Sequence, residues 1–221
     1  MSVEDIDWDK LPNSFVLKSN CSSFGRNIIF VEDKNSLDIE KTKKEMMRWL
    51  DYRVEGVNGY SRGYYYVTPQ IYAEELIGEI KKQPIDYKFF CFDGVPTYAY
   101  SAFEHFDNGV AQSSKIAIYD IDWNVLPVIY KKSQCVPVEK PKHYDEMIEA
   151  AKILSKDLPF VRVDFYDLEN TFYVGELTFY SGGLDCCFTP ESFNCEMGKH
   201  FVLPKKSKTH RIFNTKLQRT I

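Results

Sequence analysis

The sequence predicts an α+β fold with an antiparallel sheet, because two hairpins and two amphipathic helices can be recognised along it. The segment "IDYKFFCFDGVPTYAYSAF" is two strands joined by Asp93-Gly94, a dipeptide typical of tight hairpin turns. Residues 160–179, "FVRVDFYDLENTFYVGELTF", form a second pair of alternating segments with a turn between them. Strands joined by such short turns must run antiparallel.

The remaining elements follow from apolar spacing and from turn residues. "SFVLK" and "IIFV" are predicted strands on either side of the small-residue loop 19–27, and "QIYAEELI" is a third strand that leads into a bend. Apolar residues recur at helical spacing over 36–50, which predicts one helix. A second helix is predicted from Asp145, as its N-cap, to Leu158, where Pro159 ends it.

Composition excludes several classes of protein. The chain has 221 residues, of which 44% are hydrophobic, enough to bury a core. A net charge of -4 argues against a general nucleic-acid binder, which normally has a basic surface. No apolar run approaches the roughly 20 residues of a membrane span, and the acidic start is not a signal peptide. The 6 cysteines contain no C-x-x-C pair, so reduced thiols in the cytoplasm are expected.

The second hairpin carries charged residues in the middle of two apolar strands. Arg162 and Asp164 share one face of the first strand, and Glu176 lies on the second. A three-residue loop at 168–170 would set Arg162 across from Glu176, with Asp164 within diagonal reach. A two-residue loop would move Glu176 to the other face. The apolar back of the hairpin would consist of Val161, Val163, Leu177 and Phe179.

Two interpretations of these charges stay open on the pattern alone. One is an ordinary half-solvated sheet with a cross-strand salt bridge. The other is a hard-cation site, because magnesium usually takes one or two carboxylates and leaves its other positions to water and phosphate.

The order of the segments resembles the nucleotide-binding core of the ATP-grasp superfamily, in particular the TupA-like ATP-grasp proteins of polysaccharide and teichuronopeptide biosynthesis. The resemblance covers residues 11 to about 180 and is carried by "LPNSFVLKSN", "AEELI", "IDYKFFCFDG", "YDIDWNVLP", "LSKDLPFVRVDFY" and "GELTF". It implies an ATP-grasp fold of antiparallel sheets with flanking helices and with the nucleotide between two subdomains. Residues 11–77 would be the small subdomain with the phosphate loop and hinge, 78–203 the C-terminal subdomain with the metal site, and 204–221 a basic tail.

The resemblance also implies roles for residues in ATP binding. Lys18 would reach the phosphates, where a compact positive charge suits them. Asp86 would accept hydrogen bonds from the ribose. The loop that closes over the triphosphate through backbone N–H groups would include Ser22, Ser23 and Gly25. The hinge against adenine would be formed by Glu74, Glu75 and Leu76.

The resemblance assigns the metal ligands and the catalytic residues to the second hairpin and to the strand that contains Lys88. Magnesium bridging the phosphates would be held by Asp164, Glu176 and Thr178. Arg162 would stabilise charge on the transferred phosphoryl group or the acyl intermediate, and Lys88 would neutralise phosphate or a substrate carboxylate. Three features depart from the family pattern. Thr178 replaces the usual Asn, Gly25 is the only glycine of the phosphate loop, and the usual amino-terminal segment is not recognised before Leu11. A partner chain would supply that segment, or the chain is a truncated or degenerate copy.

The function implied is an ATP-grasp ligase. With ATP and magnesium it would activate a carboxylate as an acyl phosphate and pass the acyl group to an amine, in the synthesis of a cell-surface polymer precursor. One alternative is a degenerate ATP-grasp protein that binds nucleotide without ligase activity. Another is a glycosyltransferase, because Asp120-Ile121-Asp122 matches a D-x-D pattern for a metal and a nucleotide sugar.

Overall fold

The computed structural model describes residues 3–21, 26–51, 67–78, 84–103, 106–107, 110–111, 115–184 and 187–202. The loop residues Ser22, Ser23 and Gly25, residue 203 and the whole basic tail predicted at 204–221 lie outside these ranges. The helices are α1 (Ile39–Asp51), α2 (Tyr144–Ser155) and α3 (Ser192–Gly198). The strands are β1 (Phe15–Ser19), β2 (Ile28–Val31), β3 (Ile71–Glu75), β4 (Asp86–Phe92), β5 (Val95–Phe103), β6 (Phe106–Asp107), β7 (Val110–Ala111), β8 (Lys115–Asp120), β9 (Ile129–Tyr130), β10 (Val161–Asp167), β11 (Phe172–Thr178) and β12 (Phe188–Thr189).

Two antiparallel sheets form most of the described structure. The first has three strands in the order β2-β1-β3, and the second has five in the order β11-β10-β4-β5-β8. All pairings within them are antiparallel, which confirms the predicted α+β class. In the part of the chain that the structure covers, no helix is long and apolar enough to cross a membrane.

The three-stranded sheet is held by a core on one of its faces. Phe15 and Leu17 alternate along β1 and are fully buried, and they pack with Met46 and Trp49 of α1. The helix predicted over 36–50 is therefore confirmed, with its apolar stripe turned towards the sheet. The other face of β1 carries Val16 and Lys18.

The five-stranded sheet is covered differently on its two faces. On one face α2 packs against β4, β5 and β10, and its buried Met147 and Ala151 meet Phe89 and Val163. On the other face, the half of the sheet formed by β4, β5 and β8 is covered by an apolar cluster that includes Phe90, Ile118, Tyr130, Phe188, Phe193 and Met197. The predicted capping role of Asp145 is wrong, since α2 begins at Tyr144 with His143 as its N-cap.

The β4–β5 hairpin turns at Asp93-Gly94 as predicted. Both residues have positive φ, 46° at Asp93 and 82° at Gly94. This left-handed pair matches the twist of a two-residue hairpin turn, and Gly and Asp accept it more readily than most residues. The turn is anchored on the end of α2, because the Gly94 N–H donates to the Ser155 carbonyl at 3.1 Å.

The β10–β11 hairpin has a different register from the predicted one. Asp167 pairs with Phe172, so the loop is the four residues 168–171 rather than 168–170. Gly175 then forms a β-bulge, after which Asp164 lies across from Glu176 and Arg162 across from Thr178. A four-residue loop without a bulge would have placed Glu176 on the opposite face from Asp164. The extra residue in the bulge returns it to the same face.

The apolar back of this hairpin is buried on β10 but partly exposed on β11. Val161 and Val163 are fully buried under α2, but Leu177 is 38% exposed and Phe179 is 50% exposed. The reason is the position of β11 at the edge of the sheet, since α2 packs mainly on the inner strands β4, β5 and β10.

Replacing Gly175 with Ala should destabilise the hairpin by about 1–3 kcal/mol, the usual cost of overpacking. A Cβ at this position would lie 2.7 Å from Cε2 of Tyr166, closer than side chains tolerate. Urea unfolding measures the effect, and Gly198→Ala is the matched control because nothing lies within 4 Å of its Cβ position. Equal stability of the two variants would contradict the described bulge.

Candidate functional site

The charged side chains of the second hairpin form one connected group with two residues of β4. Lys88 pairs with Asp164 across the strands, and Asp86 pairs with Tyr166. These residues lie on the same face of the sheet as Arg162, because strand positions two apart share a face. The group occupies the half of that face formed by β4, β10 and β11.

Asp164 is the centre of the group. Its carboxylate accepts from Arg162 Nε at 2.6 Å and Nη2 at 2.6 Å, a bidentate pair, and from Lys88 Nζ at 2.6 Å. The side chain is only 2% exposed. The two cations compensate this buried carboxylate for its loss of water, so removing either would leave a charge unpaired.

Lys88 lies between two carboxylates. Its Nζ is 2.6 Å from Asp164 Oδ2 and 3.1 Å from Asp86 Oδ2. Burial alone would lower the pKa of Lys88, but the charges of Asp164 and Asp86 outweigh it and raise the pKa above its ordinary value. The ammonium therefore stays charged at neutral pH.

Arg162 joins the group to the end of β11. Its Nη2 donates to Thr178 Oγ1 at 2.8 Å and lies 3.4 Å from Glu176 Oε2. Its Nη1 donates to the buried Ser181 hydroxyl at 3.3 Å. Glu176 differs from Asp164 because its side chain is 58% exposed.

The fit of this group to a magnesium ion depends on its donors. Asp164, Glu176 and Thr178 offer hard oxygen atoms on one face, which suits magnesium, and both carboxylates lie directly across from each other. Among the described residues, no group of three or more His, Cys, Asp or Glu side chains is arranged to hold a metal ion. Two carboxylates are nevertheless enough for an ion that completes its shell with water and phosphate. Glu176 would be the accessible ligand, and Asp164 would have to exchange a contact with Lys88 or Arg162.

A second group of predicted residues lies on the three-stranded sheet. Lys18 forms an ion pair with Glu74, and both side chains are partly exposed. The exposed aromatic residues Phe30 and Tyr72 lie on the same face of this sheet, across from Val16 and Lys18. The other two predicted hinge residues follow along the chain, with Glu75 exposed at the end of β3 and Leu76 half-buried just after it.

The D-x-D tripeptide has a structural explanation. Asp120 Oδ1 accepts from the backbone N–H groups of Asp122 at 3.0 Å and Asn124 at 2.8 Å, and Oδ2 accepts from Asn124 Nδ2 at 2.9 Å. Hydrogen bonds from Asn124 lower the pKa of Asp120. The carboxylate therefore closes the turn before Trp123, whose ring stacks on Tyr119 at 4.0 Å. This arrangement does not favour a role for Asp120 in a glycosyltransferase.

Sequence reasoning missed two residues that contact the group. Tyr166 is the cross-strand partner of Asp86, and its place in the alternation Arg162, Asp164, Tyr166 was the available signal. Ser181 accepts from Arg162, but it lies in a short 3-10 helix after β11, Ser181–Leu184, where no periodicity indicates its direction.

Comparison with known proteins identifies the family. A family model described as TupA-like ATPgrasp matches residues 1–202. The chain therefore belongs to the TupA-like ATP-grasp family, and the resemblance inferred from the sequence is confirmed. A search of curated proteins found no significant match.

Solved ATP-grasp structures resemble the chain at low identity. D-alanine–D-alanine ligase from Bacillus anthracis is 19% identical, with a TM-score of 0.41 over 79% of this chain and 47% of that chain. The same ligase complexed with ATP is 16% identical, with a TM-score of 0.45 over 88% and 53%. The ATP-grasp ligase PsnB complexed with minimal precursor is 10% identical, with a TM-score of 0.40 over 85% and 49%. The chain thus spans about half the length of these ligases, and its family membership does not rest on them.

Proposed function

We propose that this chain carries the nucleotide site of an ATP-grasp ligase, which uses ATP and magnesium to join a carboxylate to an amine. The observation that carries the proposal is the cluster on β4, β10 and β11, which brings Lys88, Arg162, Asp164 and Glu176 together on one rigid face. Phosphoryl transfer depends chiefly on positioning and charge neutralisation, and this cluster offers two cations and, with Asp86, three carboxylates for that purpose.

The proposed reaction has two steps. A carboxylate oxygen attacks the γ-phosphorus while the bond from that phosphorus to the departing ADP breaks, which gives an acyl phosphate. The amine nitrogen then attacks the acyl carbon, phosphate leaves, and the nitrogen loses a proton.

We assign roles in this reaction to residues of both sheets. Arg162 and Lys88 would neutralise charge on the transferred phosphoryl group, Lys18 would bind the phosphates, and Asp86 would bind the ribose. Residues 11–77 and 78–203 would be the two subdomains around the nucleotide, with Ser22, Ser23 and Gly25 in the phosphate loop and Glu74, Glu75 and Leu76 at the adenine.

Asp164, Glu176 and Thr178 are the residues that would hold magnesium. When bound, the ion would neutralise phosphate charge near the transferred group. Family membership also supports a setting in the cytoplasmic synthesis of a cell-surface polymer precursor, with a precursor carboxylate and an amine donor as the substrates.

The direct test is ligand-dependent thermal unfolding followed by an ADP-release assay. Mg-ATP should raise the unfolding temperature, because a ligand that binds only the folded state stabilises it, whereas a UDP-sugar should not. Binding without ADP release in the presence of carboxylates would favour the degenerate alternative. Protection by a UDP-sugar but not by ATP would contradict the ligase proposal.

Replacing Lys18 with Ala should weaken the binding of ATP by about tenfold or more and leave the binding of adenosine nearly unchanged, because only the phosphates contact this charge. Calorimetric titration with both ligands measures the difference. The exposed ion pair with Glu74 contributes about 0–1 kcal/mol at most, so the fold should survive. Lys10→Ala is the control, since Lys10 is an exposed lysine outside the sheet. Equal losses for ATP and adenosine would show that Lys18 is structural.

A further inference from the structure

Lys88 holds a carboxylate that the proposed metal site also needs. Its Nζ lies 2.6 Å from Oδ2 of Asp164 and 3.1 Å from Oδ2 of Asp86, and its side chain is 11% exposed. With Arg162, it places two positive charges against the single negative charge of Asp164. A further cation at Asp164 is therefore opposed by like charges a few ångströms away.

The two cations on Asp164 are held in different ways. Arg162 donates to both oxygens of the carboxylate, through Nε at 2.6 Å and Nη2 at 2.6 Å, and its Nη2 also donates to Thr178 Oγ1 at 2.8 Å. Because the guanidinium is a rigid plane, it cannot turn away from Asp164 without losing several bonds together.

Lys88 is held less firmly than Arg162. It reaches Asp164 through a single nitrogen at the end of a flexible aliphatic chain. A second carboxylate, Asp86, already lies beside this nitrogen. The ammonium can therefore leave Asp164 and still have a carboxylate as its partner, so Lys88 is the cation that yields at the lower cost.

We propose that Lys88 is an internal counter-ion that occupies Asp164 in the nucleotide-free protein and releases it when ATP binds with magnesium. This inference rests on the proposed function, and specifically on the assignment of Asp164 and Glu176 to the metal. On leaving Asp164, the ammonium remains next to Asp86 and becomes available to phosphate, the role already assigned to it. Lys88 thus opposes magnesium in the empty site and supports the phosphates in the filled one.

Calorimetric titration with magnesium alone, without nucleotide, tests the inference. Lys88→Met keeps an unbranched side chain without its charge, so it should bind magnesium at least about tenfold more tightly than the wild type. With magnesium present, the same variant should bind ATP about tenfold more weakly, because the phosphates lose a positive partner. A purely structural role would not shift the two affinities in opposite directions.

Lys152→Met is the matched control for the change in net charge. Lys152 is an exposed lysine that pairs with Glu149 on α2, away from the cluster. Its replacement should change neither affinity. A gain in magnesium affinity as large as that of Lys88→Met would show that net charge alone is responsible and would overturn the inference.

Adding Glu176→Gln to Lys88→Met shows whether the gained ion lies at the cluster. The gain in magnesium affinity should disappear, since a neutral amide is a weaker ligand than a carboxylate. Equal magnesium affinity of Lys88→Met and the wild type, or a gain that survives Glu176→Gln, would overturn the inference while leaving ATP binding as proposed.

Two further outcomes are distinguishable. If the wild-type chain does not bind ATP with magnesium, the proposed function fails, but a gain in Lys88→Met that Glu176→Gln removes would still support the competition at Asp164. If Lys88→Met does not fold, the wild-type chain decides by thermal unfolding with millimolar magnesium and no nucleotide. A rise in its unfolding temperature would overturn the inference, because Lys88 would then not oppose the ion, and an unchanged temperature would support it.

Discussion

Replacing Asp164 with Asn is expected to abolish ATP turnover and to destabilise the protein as well. Asn keeps the shape but removes the charge that both Lys88 and Arg162 contact at 2.6 Å. Removing one partner from a buried ion pair typically costs about 3–5 kcal/mol, because the remaining charges are left uncompensated. Here Asp86 and Glu176 retain part of the compensation, so the lower end of that range is expected.

The measurements are ADP release and urea unfolding of the same preparation. Asp122→Asn is the control, because Asp122 is an exposed aspartate in the turn after β8. It should affect neither quantity. Loss of nucleotide-dependent activity in Asp122→Asn, with Asp164→Asn active, would instead support the glycosyltransferase alternative.

Replacing Glu176 with Gln should remove turnover while leaving stability nearly unchanged. Glu176 is 58% exposed, and its contact with Arg162 is long at 3.4 Å, so the loss of unfolding free energy should stay below about 1 kcal/mol. Turnover should fall about a thousandfold, equivalent to roughly 4 kcal/mol, if this carboxylate is the accessible metal ligand.

Titration of magnesium at saturating ATP would distinguish a lost metal ligand from a lost fold. The variant should need more magnesium for any residual rate, because a neutral amide binds the ion more weakly than a carboxylate. Glu169→Gln, in the loop of the same hairpin, is the control and should behave like the wild type. Wild-type turnover by Glu176→Gln would remove this residue from the proposed metal site.

Sequence patterns predicted the three strands of the first sheet and four of the five strands of the second, because alternation and turn residues act locally, whereas β8 was not predicted. The turn at Asp93-Gly94 depends only on the backbone conformations that these two residues favour, and the structure has the turn at the predicted position. The helices α1 and α2 were likewise predicted from apolar spacing, although their ends differ by a few residues because capping depends on neighbouring segments.

The register of the β10–β11 hairpin could not be predicted. Loop length determines which residues pair, and a bulge shifts the pairing by one residue. The face on which Glu176 lies therefore depends on both the length of the loop and the presence of the bulge, and neither could be read from the sequence. Gly175 was the only local indication of the bulge. The bonds from Lys88 and Arg162 to Asp164 depend on strands far apart in sequence and on burial, which alternation does not reveal.

The pairing of every cation in the cluster with a carboxylate has a consequence for ligand selection. A tethered carboxylate acts as an anion at high effective concentration, so a free phosphate or sulfate ion must compete with Asp164 for Lys88 and Arg162. We therefore expect simple anions to bind poorly at millimolar concentration. A polyphosphate bound to a divalent cation would offer an anion to Lys88 and Arg162 and a cation to Asp164 in the same step. We therefore expect the cluster to bind that combination better than either component alone.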